Sequence, residues 1–136
     1  MDRDSVPQEV TDLIDRHVPS VGVLEALVLL FSDSAKSWSA EEVSAELRTS
    51  VYSETKNLEY LFSHRFVSVD TKGDERRYRY EVDDKDTDRV VRLLAEMYQV
   101  RRVTIIDLIY PGAGKPRDAL RDFADAFRFT ERKKNG

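Results

Sequence analysis

Apolar residues recur along most of this chain with a helical period, and one stretch alternates instead. Val6, Val10, Leu13 and Ile14 share one side of a helix over residues 6–17, where Ser5 and Gln8 make a capping box. Pro19 ends it, and Ser20 caps a second helix over residues 21–31. That segment, VGVLEALVLLF, is apolar on nearly every face, the pattern of a central core helix. After a polar loop comes Trp38, then Ser39 and Glu42, a second capping box opening a helix to about residue 48. Residues 49–52 read as a break, and a fourth helix follows over residues 53–64.

Residues 66–70 and 76–82 read as strands, and residues 71–75 as the loop of a hairpin between them. The acids of residues 83–88 suit a helix start, and a single long helix is expected over residues 87–110. From Val103 to Tyr110 its apolar residues point almost everywhere, so burial against a second subunit is expected. The β-branched content there keeps a strand open as the alternative. Residues 111–116 break the pattern. A last amphipathic helix over residues 118–127 carries Leu120, Phe123, Ala124 and Phe127 on one face, before a polar tail. The expected class is therefore mainly α with a small β-hairpin (α+β). Residues 1–19 form a leading helix, 20–82 the central domain, 83–110 a long dimerising helix, and 111–136 a connector, helix and tail.

The order over residues 20–82 is helix, extended Trp segment, helix, tight turn, helix, hairpin. Carried by Trp38-Ser39-Ala40-Glu41-Glu42-Val43, Leu47, Leu58, Leu61, Phe66, Val67 and Lys72-Gly73, it resembles the winged helix-turn-helix domain of small bacterial regulators of the MarR, PadR and penicillinase-repressor groups. The flanking helices and Phe123-Ala124-Asp125-Ala126-Phe127 also resemble a group of short bacterial proteins without assigned function. The resemblance implies a short strand at Trp38 beside the hairpin. It also implies a recognition helix at residues 53–64, which ends at Arg65 where many such domains have Gly.

Charge narrows the function. The 136 residues hold 22 Lys and Arg against 26 Asp and Glu, a formal net charge of −4. Residues 1–45 contribute 3 basic and 9 acidic side chains, net −6, whereas residues 46–80 carry 7 and 6, net +1. Indiscriminate nucleic-acid binding is disfavoured, while a local basic footprint is allowed. Without cysteine there is no disulfide framework, Cys-based zinc site or thiol nucleophile, and His17 and His64 lie far apart in sequence. No apolar run reaches membrane-spanning length, and the start, MDRDSVPQEV, is unlike a signal peptide. A cytoplasmic protein with no cofactor is expected. Gly112-Ala113-Gly114-Lys115-Pro116 fails as a phosphate loop, since position 109 is Ile and position 116 is Pro. No nucleophile, base and orienting group come together, so no enzyme is expected.

On the fourth helix, Leu58, Leu61 and Phe62 should face the core, and Ser53, Lys56, Asn57, Tyr60 and His64 should face outward, with Glu59 to the side and Glu54 toward the packing face. That outward face has no carboxylate, as a helix entering the major groove requires. Asn57 suits adenine, and Lys56 suits guanine or phosphate. The hairpin adds Lys72, Arg76, Arg77 and Arg79, suited to the minor groove or the DNA backbone. An ordinary solvated helix face and a charge-protected edge hairpin explain the same residues. The expected function is a dimeric, DNA-binding transcriptional regulator. The alternative is a winged helix that binds a protein partner; a third reading, which the sequence neither shows nor excludes, is a sensor holding an apolar ligand in a cleft between the long helix and the winged domain.

Overall fold

The computed structural model describes residues 6–110. Six helices and one antiparallel hairpin are present among them: α1 (Gln8–His17), α2 (Val21–Ser32), α3 (Ala40–Leu47), α4 (Val51–Ser63), β1 (Val67–Lys72), β2 (Glu75–Tyr80), α5 (Lys85–Val100) and α6 (Arg102–Ile109). This is the α+β order of a winged helix-turn-helix with flanking helices. The expected connector, last helix and tail lie outside the described residues, as does Ser5 of the first capping box. Pro7 precedes α1, and its carbonyl accepts from the amides of Val10 and Thr11.

Local chemistry sets most helix starts. Ser20 accepts from the Val23 amide at 3.1 Å, and Asp84 from the Thr87 amide at 2.9 Å. Ser39 and Glu42 form the reciprocal capping box of α3, with both bonds at 3.1 Å. The fully buried Leu24, Leu27 and Leu30 make α2 the centre of the core, with Val43, Leu58, Leu61, Val91 and Leu94 packed around them.

Four expectations change. Helix α4 begins at Val51, two residues early, because Ser50 accepts from the Ser53 amide and so caps it. The strands extend into the expected five-residue loop, leaving Gly73-Asp74 as a two-residue turn with Lys72 paired to Glu75. Gly73 has φ +61°, a conformation that tight hairpin turns of this kind demand. Phe62 does not face the core and is 44% exposed, because the buried stripe runs Glu54, Leu58, Leu61 and leaves position 62 at its edge.

The long helix is not continuous. It breaks at Arg101, with φ −135° and ψ 53°, and residues 102–109 form a separate helix rather than a strand. A straight continuation would leave the apolar run of residues 103–109 in solvent. The bend brings α6 against α1 and α5 and buries Ile105 and Leu108. Removing two such side chains from water is worth about 1.5–3 kcal/mol each, which favours the bend. The chain thus covers part of that run itself. Val100 and Val103 remain exposed at the elbow, and Tyr110 at the far end of α6.

Candidate nucleic-acid interface

Helix α4 presents two very different sides. Inward, Leu58 and Leu61 are fully buried beside Glu54, which is only 1% exposed. A carboxylate so placed requires donors. Thr49 Oγ1 donates to it at 2.7 Å from the turn before α4, and Asn57 Nδ2 donates at 3.2 Å from the next turn. Asn57 also lies against Gly22, where an added Cβ would come within 3.0 Å of the Asn57 amide nitrogen. A bare backbone at position 22 therefore lets α2 and α4 approach, and the half-buried Asn57 amide is occupied between them.

Outward, Val51, Tyr52, Ser53, Thr55, Lys56, Phe62 and Ser63 are exposed, and Lys56 is the only charged member. Its ammonium stands 4.7 Å from the centre of the Tyr52 ring, and Tyr52 is 70% exposed. Tyr60 and His64 are half-buried and stack at 4.0 Å, with burial pushing the Tyr60 hydroxyl above its ordinary pKa. Of the five outward residues expected from the sequence, Ser53 and Lys56 are open to solvent, while Asn57, Tyr60 and His64 are engaged within the fold.

Glu59, the remaining carboxylate of α4, is drawn into the hairpin. The Arg76 Nε donates to Glu59 at 3.0 Å and to the Tyr78 hydroxyl at 3.2 Å, and the Tyr78 hydroxyl donates to Glu59. Tyr78 is buried, and burial is the main cause of its raised pKa, with the Glu59 bond adding. This three-residue bracket joins the hairpin to α4.

A second bracket joins the hairpin to α3. Trp38 pairs with Tyr78 through two backbone hydrogen bonds of 2.7 and 2.8 Å, forming the short strand expected beside the hairpin. Arg77 Nη2 donates to the Ser37 carbonyl and to Glu42, both at 2.8 Å, while Nε reaches the Ser37 hydroxyl and Nη1 reaches Glu75. The Arg77 side chain is only 19% exposed. The Ser39 amide, and then Arg77, hold the Glu42 carboxyl below its ordinary value. Arg79 is half-exposed and pairs with Glu81 at 3.3 Å, and Lys72 is exposed at the turn.

Three exposed residues were not among the candidate contacts read from the sequence. Tyr52 carries a signal, since it lies four positions before Lys56. Arg48 and Arg65 have φ of 59° and 66°, a conformation that favours glycine and that each adopts just after α3 or α4. Among the described residues, neither has a carboxylate within ion-pair distance, and the same holds for Lys56 and Lys72. No group of three or more His, Cys, Asp or Glu able to hold a metal occurs there, and no helix is long and apolar enough to cross a membrane.

No family model and no curated protein matches the sequence. Among solved structures, reduced HlyU from Vibrio cholerae aligns with a TM-score of 0.50 at 14% identity, over 68% of this chain and 88% of that one. A MarR family protein from Bacillus stearothermophilus aligns with a TM-score of 0.49 at 13% identity, over 98% of this chain and 87% of that one. The likeness to HlyU is one of fold, and it agrees with the winged helix-turn-helix read from the element order.

Proposed function

We propose that this protein is a cytoplasmic transcriptional regulator that binds duplex DNA as a homodimer, with the outward side of α4 in the major groove. The observation that carries this reading is that α4 shows no free carboxylate to a polyanion. Glu54 is buried on Thr49 and Asn57, and Glu59 is held by Arg76 and Tyr78. Lys56, with Ser53 and Tyr52 beside it, is then the contact to bases or phosphates. Lys72 and Arg79 on the hairpin meet the flanking backbone. Arg76 and Arg77 act mainly by bracing the hairpin, while their charge still adds to the local field. Asn57, Tyr60 and His64 support α4 from within. The exposed Val100, Val103 and Tyr110 supply apolar surface for a second copy. Two α4 helices about 34 Å apart would match an inverted repeat. No cofactor is needed.

One observation favours the second reading, a protein-binding winged helix: Val51, Tyr52 and Phe62 are all exposed on α4. Fluorescence anisotropy with a labelled random-sequence duplex separates the two. The DNA reading predicts binding at low ionic strength that weakens steeply as salt rises. No binding at low salt would leave the protein-binding reading.

A further inference from the structure

Two histidines 47 residues apart meet where α1 and α4 both end. His17 Nδ1 and His64 Nδ1 lie 3.0 Å apart, with ring centroids at 5.2 Å and planes at 85°. The centroid separation exceeds the nitrogen separation by about two ring radii, so each nitrogen points directly at the other. That is hydrogen-bond geometry. Two rings converging on a shared metal would tilt toward a third point and bring their centroids closer.

A bond between two imidazole nitrogens needs one proton in the gap. In the neutral pair, one ring donates from Nδ1 while the other carries its hydrogen on Nε2. One added proton leaves the bond intact, because an imidazolium still donates to a neutral ring. A second added proton abolishes it: both nitrogens then bear hydrogens, no acceptor remains, and two cations face each other.

The surroundings oppose that second proton. His17 packs edge-on against Phe66 at 5.2 Å, and His64 stacks on Tyr60. Burial holds His17 below the ordinary histidine range, and His64 and then Arg16 add to the effect. Of the three carboxylates sharing a groove with His17, two are already paired with an arginine. Glu9 and Asp86 both hold Arg89, at 2.6 and 2.8 Å, and Asp12 accepts from Gln8 at 3.0 Å.

We propose that the His17–His64 pair is a proton-operated latch fastening α1 to the end of α4, closed with up to one added proton and opened by the second. Because α1 packs on α5 and α6, the latch ties those helices to α4. It does not depend on what α4 binds. The sign follows from linkage. A histidine titrating lower in the folded state contributes stability that is complete above the unfolded value, about 6.5, and is lost as pH falls through the folded value.

A double-mutant cycle tests it, with His17→Phe, His64→Phe and the double variant unfolded in urea at about pH 7.5 and at a pH low enough to charge both rings of the native protein. The expected result is a favourable coupling at the higher pH that vanishes or reverses at the lower. The native protein should also lose several degrees more in Tm between the two than the double variant does. A coupling that is equal at both pH values would overturn the latch. Should the variants not fold, nitrogen NMR of the native protein decides. A through-bond coupling between the two Nδ1 atoms is expected near pH 7.5 and absent at the pH where both rings are charged. Its absence near pH 7.5, or its survival once both rings are charged, would overturn the proposal.

Discussion

Counted along the sequence, the hairpin is the basic element and α4 is not. Residues 67–80 carry four cations and three acids, whereas α4 carries Lys56 against Glu54 and Glu59. The fold reverses that ranking. Three hairpin arginines face carboxylates, Arg76 on Glu59, Arg77 on Glu42 and Glu75, and Arg79 on Glu81. On α4 Glu54 is buried, Glu59 is paired with Arg76 although its side chain stays 43% exposed, and the lone cation stays in solvent. A segment's formal charge therefore says little about the charge it can offer a partner; what matters is which side chains the packing has already used. Here the hairpin spends Arg76 and Arg77 on being held in place, and Arg76 uses up a carboxylate that would otherwise spoil the face of α4.

The two regions share an anchor, and removing it gives the largest expected effect. Leu58→Ala should cost about 2–5 kcal/mol, because the fully buried side chain lies in a packed core with little freedom to collapse. Its urea midpoint should fall, and both the hairpin and α4 should lose order together. A loss below about 1 kcal/mol would mean that α4 is not seated on α2 as described.

Next comes the bracket between the regions. Tyr78→Phe keeps the buried ring but removes the hydroxyl linking Glu59 and Arg76, a loss of about 1.5–3 kcal/mol for a hydrogen bond to charged groups. Glu59 is then less firmly held, so DNA affinity should fall along with stability. Unchanged stability would show that the hairpin docks without this bracket.

The smallest effect concerns acid. The Ser39 amide and Arg77 lower the Glu42 carboxyl, so its contribution is complete at neutral pH and is lost as pH falls through and below the ordinary carboxylate value of 4.5. Glu42→Gln should flatten that part of the Tm profile by lowering the neutral value toward the acid one, with little change in acid. A profile parallel to that of the native protein would remove Glu42 from the hairpin's support.

How much was legible follows the distance over which each interaction acts. The caps at Ser20 and Ser39 bind backbone only three residues away, so residue type and spacing suffice to read them, whereas Asp84 reads only as one of several helix-start acids and α5 begins at Lys85 rather than residue 87. The hairpin and the Trp38 strand also follow from alternation and the family resemblance. Arg77 meets Glu42 across 35 residues and His17 meets His64 across 47, contacts that exist only once helices and hairpin are packed. Asn57 reads as a base-contacting residue from its helix position, yet its amide is claimed by Glu54 because Gly22 allows α2 so near. The break at Arg101 has no glycine or proline to announce it. It follows from the burial gained by α6, a balance that periodicity within one segment does not express.

The central claim, that α4 offers its charge to DNA while Arg77 is spent on holding the hairpin, is tested most directly by the salt dependence of duplex binding in two variants. Lys56→Ala should lower the slope of log affinity against log salt by about 1 and leave Tm unchanged. Arg77→Ala should lower Tm and, in the fraction that remains folded, keep nearly the native slope. The reverse pattern, with the slope falling for Arg77→Ala and unaltered for Lys56→Ala, would contradict the account.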